Sequence, residues 1–156
     1  MRSAAVMISR LTVWLGLALG LAGCGDFPRD AEGTLDRIRA EREFHIGIIA
    51  PGPAGADLGK QRLFIRQVAA KAGARPIVET AAAEPLLKRL EEGEIDLVIG
   101  EMSAVSPWSK QVTLLPPLVP ASDEPAATSL SALARNGENG WIGLLHGEAV
   151  AIGGGS

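Results

Sequence analysis

Cysteine, histidine and aromatic side chains are all scarce in this chain: one Cys, two His, no Tyr, and 4% aromatics among 156 residues. The lone cysteine, Cys24, excludes an internal disulfide. His45 and His146 are isolated, without the Cys or carboxylate spacing of a metal site, so no metal is expected. Few aromatics argue against a pocket that holds its ligand between rings. An excess of base is missing too: 15 basic side chains stand against 18 acidic ones. That balance argues against nucleic acid or an anionic bilayer surface as partner. The glycines at 52, 55 and 59 are not followed by the Lys-Ser or Lys-Thr of a phosphate loop. Ser103 and Ser106 lack a base beside them. Glu91, Glu92, Glu94 and Asp96 gather at a helix end and read as a solvated face rather than an acid/base pair. No enzyme signature remains, and no cofactor is implied.

What the chain does have begins at its N-terminus. Arg2 and Arg10 precede an uncharged, largely apolar stretch over 11–23, the layout of an export signal. The stretch is well short of the roughly 20 residues needed to span a bilayer, which favours cleavage. Leu21-Ala22-Gly23-Cys24 resembles a bacterial lipobox. That resemblance implies a signal peptide over 1–23 and lipid, with its palmitate-type acyl chains, on Cys24. The chain would then sit at the periplasmic face of the cell envelope, anchored by lipid. Gly25, followed by Asp26, leaves inner and outer membrane both open. Of the 15 basic side chains, removing Arg2 and Arg10 leaves 13 against 18 acidic ones, a formal charge of −5. The remainder is the size of one small domain.

Residues 24–33 are polar, carry Pro28 and read as a tether. Thr34 is placed to cap a short helix over 35–42, with Asp36 in its first turn. An apolar, β-branched run over 44–49 predicts a buried strand, and the Pro/Gly-rich stretch 50–59 predicts a loop. Phe64, Val68 and Ala72 at four-residue spacing predict a helix over 60–72, stopped by Gly73. A second strand follows at 76–79. Pro85, then Leu86, Leu87 and Leu90, then Gly93 mark a helix in which Leu87 and Leu90 face the core while Lys88, Arg89 and Glu91 stay solvated. A third strand covers 95–100. Strands alternating with helices predict a mostly parallel α/β sheet. Further on, 112–115 reads as a strand, 129–134 as a helix, 135–141 as a turn and 141–145 as a last strand. The lobe is expected to span 34–150, with 151–156 a flexible tail.

Thr34-Leu35-Asp36-Arg37-Ile38-Arg39-Ala40 with Phe44-His45-Ile46-Gly47-Ile48 resembles the start of the extracellular solute-binding proteins, family 3, of amino-acid ABC transporters. So does Leu90-Glu91-Glu92-Gly93-Glu94-Ile95-Asp96-Leu97-Val98-Ile99, and Met102-Ser103, Lys110-Gln111-Val112 and Pro117 continue the match. The resemblance covers roughly 34–118 and implies the first lobe of a type II periplasmic-binding-protein fold. It also implies a small solute such as an amino acid, and an ABC permease as partner.

In that family the third strand leads into a loop whose Thr or Ser and Arg hold the ligand's α-amino and α-carboxylate groups. Here Ser103 is kept, but the Arg position falls on Trp108 and the Thr position on Val105. Trp offers one N–H and no charge where Arg offers a charged fork. The loop at 51–59 lacks the family's aromatic, and the residues after the match are too few for a second lobe. The expected function is therefore weak solute binding by a truncated, lipid-anchored importer component, with Ser103 and Trp108 as ligand-binding residues. The alternative is an envelope interaction module that keeps the lobe as a scaffold and needs no ligand.

Overall fold

The chain runs through five strands, β1 (Glu43–Ile49), β2 (Arg75–Ala81), β3 (Leu97–Ser103), β4 (Val112–Leu114) and β5 (Thr128–Arg135). Four helices accompany them: α1 (Thr34–Glu41), α2 (Leu58–Ala72), α3 (Ala83–Glu92) and α4 (Asn139–Gly153). This computed structural model describes residues 30–51, 57–119 and 127–154. The signal stretch, Cys24, the first part of the tether and the last two residues lie outside the described residues. Among the described residues no helix is long and apolar enough to cross a membrane.

The strands form one sheet in the order β2-β1-β3-β5-β4. β1 pairs in parallel with β2 and β3, whereas β5 is antiparallel to both β3 and β4. The expected single α/β lobe is present, and its sheet is mixed rather than mostly parallel. The parallel half comes from two crossovers that leave β1 and β2 in opposite directions. Right-handed connections then put α2 on one face and α3 on the other. On the α2 face Phe64, Val68 and Ala72 pack with Ile46, Ile99, Trp141 and Leu145. On the α3 face Leu86, Leu87 and Leu90 meet Val98, Met102 and Leu133. Two glycines let this second layer come close. A Cβ on Gly47 would lie 2.8 Å from the Leu86 side chain, and one on Gly100 2.5 Å from that of Ile49.

Two late elements reverse the sequence reading. Residues 129–134, read as a helix, lie within β5. It is paired on both edges, by β3 and β4, and its two faces enter the two apolar layers, so Leu130, Ser131, Ala132, Leu133 and Ala134 are all inside. The helix propensity of Leu and Ala is overridden there by pairing. Residues 141–145, read as a strand, open α4, whose buried side is Trp141, Leu145, Ala149 and Ile152. Those four keep helical spacing, but Gly140, Gly143 and Gly147 dilute the signal. Turn 135–141 thus leads into a helix. The helix runs on to Gly153, past the expected lobe end, and Ile152 is buried.

The start of α1 also differs. Its N-cap is Gly33, in the left-handed region at φ 71°, and Thr34 is its first helical residue. The free N–H groups go instead to two acids. Asp30 accepts from Leu35, and Glu138 accepts from Glu32 and Thr34 at 2.9 and 3.2 Å. The end of the tether is therefore fastened to the lobe.

Leu87 and Leu90 are fully buried, while Lys88 and Glu91 are exposed. Leu90→Ala is expected to cost about 2–5 kcal/mol and Lys88→Ala less than about 0.5 kcal/mol. Denaturant titration of both variants checks this; equal losses would contradict the packing.

Candidate ligand-binding edge

In an open α/β sheet a ligand crevice forms at the carboxyl ends of strands where the connections diverge. Here that point lies between β1 and β3, since the chain leaves β1 for β2 on one side and returns to β3 on the other. Ala50 and Pro51 follow β1. Asp57 then caps α2, its carboxylate accepting the Lys60 N–H at 3.0 Å. On the other side of the switch point β3 ends at Ser103, residues 104–106 follow it, and Thr128 opens β5 opposite Ser103.

Ser103, expected to contact ligand, is half-buried at the end of β3. Its Oγ accepts the Val105 N–H at 3.4 Å and its carbonyl accepts the Ser106 N–H at 3.0 Å. The hydroxyl proton is left to donate outward. Trp108 sits in the 3-10 turn Pro107–Lys110, started by Ser106, whose Oγ accepts the Trp108 N–H at 3.4 Å. Its ring packs against the apolar cluster beneath α3. The two residues share one connection, and Trp108 is partly buried there. Val105 and Leu58 flank the edge, 70% and 54% exposed. The connections 50–57, 104–111 and 119–127 contain one base, Lys110, and no Arg. The edge thus offers hydroxyls, backbone groups and apolar rim, without a charged fork.

The opposite edge is held by charge. Asp96, read in sequence as part of a solvated face, is buried just ahead of β3; its side chain is 3% exposed. It accepts the Arg37 guanidinium and, at 2.8 Å, the His45 N–H. Its carbonyl accepts the Trp141 indole N–H at 2.7 Å. Glu91, Glu92 and Glu94 do stay exposed. Nearby, burial pushes the carboxyls of Asp30 and Glu138 upward. For Glu138 the N–H groups of Glu32 and Thr34, with the Thr34 hydroxyl and Asp30, outweigh burial and hold it below the usual glutamate range. Asp30 stays above the usual aspartate range, through burial and the neighbouring Glu138 charge. Sequence reasoning found Asp36 at the start of α1 and missed these two, because Glu138 arrives from more than 100 residues away.

Several solved structures share this fold. The arginine-bound form of domain 1 from TmArgBP matches with a TM-score of 0.63 and 16% identity, over 74% of this chain and 98% of that one. An ancestral cationic amino acid solute-binding protein, AncCDT-1, matches at 0.61 and 11%, over 76% of this chain and 93% of that one. A Salmonella typhimurium periplasmic binding protein with high arginine specificity matches at 0.56 and 9%, over 71% and 93%. No protein-family model and no curated protein matches the chain. The likeness shows the fold: one lobe of a periplasmic-binding-protein architecture.

The charge network makes stability depend on pH. Because the folded-state pKa of Glu138 lies below its unfolded value, its stabilisation is present at neutral pH and is lost as pH falls through the folded value. Asp30 works oppositely: its contribution is lost as pH rises through its own raised value. Glu138→Gln is expected to be less stable than wild type at pH 7, by about 1 kcal/mol. The gap should narrow below the usual glutamate range. Chemical denaturation at neutral and acid pH checks it; a constant gap would contradict the assignment.

Proposed function

We propose that this chain is a solute-binding lipoprotein of the amino-acid importer kind, held at the periplasmic face by lipid on Cys24. The lobe would take a small solute such as an amino acid at its switch-point edge, with an ABC permease as the partner. The observation that supports this most is the match to nearly the whole of an isolated domain whose solved form is arginine-bound. In this lobe Ser103 would donate its free hydroxyl proton to the solute. Trp108 would support the loop from below and contact the ligand only at its margin. A bidentate Arg fork on a carboxylate is among the stronger charge-assisted pairs, and no Arg of these connections supplies one. Binding is therefore weak. The neighbours are solute-binding proteins, and this reading involves no catalytic step.

The exposure of Val105 and Leu58 at the same edge favours a second reading, in which another envelope protein docks there and no solute is needed. Calorimetric titration of the purified protein with a panel of amino acids separates the two. Arginine or a related amino acid is expected to bind with a Kd near or above about 1 mM, and Ser103→Ala to weaken it further. A micromolar Kd would contradict the weak, fork-free site, and no heat from any amino acid would favour the docking module.

The anchor has its own test. Two or three acyl chains hold a protein firmly to a membrane where one does so only marginally. Wild type is expected to partition into the detergent phase of a phase-separating extract, and Cys24→Ala to be misprocessed or to move to the aqueous phase. Aqueous partitioning of both would refute lipidation.

A further inference from the structure

We propose that the amino-terminal edge of the sheet, away from the switch point, holds a second pocket for a small zwitterion carrying an oxyanion and an ammonium group. A cavity of about 200 Å³ lies there, between the start of α1, the turn from α3 into β3 and the end of β5. Most of the charges around it are already satisfied. Asp96 takes the guanidinium of Arg37 and the His45 N–H, and Glu138 takes two backbone N–H groups. Two are not. Arg135, whose guanidinium rests against Gly93, and Glu32 both line the cavity, and neither side chain has a hydrogen bond or ion pair among the described residues.

Arg135 is half-buried rather than free in solvent, and its placement depends on a glycine. Its Nη1 lies 3.0 Å from where a Cβ on Gly93 would stand, so the guanidinium rests over the end of α3. Gly93 is itself left-handed, at φ 79°. A guanidinium fork fits a carboxylate or phosphate through paired N–H donors. Glu32 would take the ammonium end. The buried Trp141 contributes an apolar wall. A simple anion would meet Arg135 but also the uncompensated Glu32, and a simple cation would meet the reverse. Only a ligand with both charges meets both residual groups. The cavity is below the roughly 300–1,000 Å³ of drug-sized sites, which restricts the ligand to a few heavy atoms. A free amino acid such as glycine and the phosphoethanolamine headgroup share this chemistry.

The test is an NMR titration of the ¹⁵N-labelled full chain, read at the Trp141 indole N–H and the Gly93 amide. The probes are glycine, O-phosphoethanolamine, acetate and methylammonium at equal concentrations. Glycine or O-phosphoethanolamine is expected to shift both signals, and whichever does so identifies the source. Acetate and methylammonium should shift them far less. Arg135→Gln and Glu32→Gln should each weaken the effective zwitterion at least about tenfold, and Ser103→Ala should leave it unchanged. Glu32 is exposed, so its variant keeps the test sound if Arg135→Gln fails to fold. Unmoved signals with both zwitterions would overturn the proposal, as would wild-type affinity in Glu32→Gln. Solute binding at the switch-point edge is read through Ser103→Ala, so failure of one site is distinguishable from failure of the other.

Discussion

The buried carboxylate of Asp96 is the constraint on which the rest of the lobe depends. It draws together α1 through Arg37 and β1 through the His45 N–H, while its own N–H donates to the His45 carbonyl at 3.0 Å. Its carbonyl receives the Trp141 indole, whose ring meets Phe44 edge-on at 5.6 Å between centroids. The pair is half open to solvent on the Arg37 side and contributes little net stability by itself, but removing the guanidinium would leave the buried Asp96 carboxylate with one hydrogen bond fewer. The geometry is thereby made specific: β3 starts at a fixed height against β1, and α4 is seated on both. Fixing the strands at one edge also fixes where they stop at the other: pairing with β1 ends at Ile48 and Ile99, and β3 runs on to Ser103.

The two edges divide the chemistry of the domain. At the amino-terminal edge charges are buried and mostly paired, and the last residues of the tether are bound into the network by Asp30 and Glu138. At the carboxyl edge the connections carry no Arg, and among the described residues they present hydroxyls, backbone, the Asp57 carboxylate, Lys110 and the exposed Val105 and Leu58. The first edge suits holding the lobe in shape; the second is open for recognition. On the proposed reading a solute there would exchange water for hydrogen bonds of about 0.5–1.5 kcal/mol each, which is the reason weak binding is expected.

The elements from α1 to β4 were legible because each carries its own local signal. Leu86, Leu87 and Leu90 with Gly93 after them define α3, and the run Leu97-Val98-Ile99 defines β3. The last third was not, because its local signals point the wrong way. Residues 129–134 have helix-favouring composition, yet the open side of β3 and the short β4 supply partners on both flanks. Residues 141–145 look strand-like through Trp and Ile, while the glycines of α4 conceal its four-residue spacing. Gly143 and Gly147 have no neighbour within 4 Å of a built Cβ, so packing does not require them. Of the candidate site, Ser103 could be placed from its position after β3. The burial of Asp96 and the Glu138 cap could not, since both depend on contacts between distant segments. Trp108 shows the same limit: its place in the loop was readable, its packing beneath α3 was not.

The central claim, that the switch-point edge of this single lobe receives a solute, is tested most directly by mapping where arginine acts. Backbone amide shifts of the labelled protein would be followed during an arginine titration. The account predicts that the largest changes fall on Ala50, Ser103 to Ser106 and Thr128. An edge whose amides stay unmoved while arginine is raised to many times its expected Kd would contradict it.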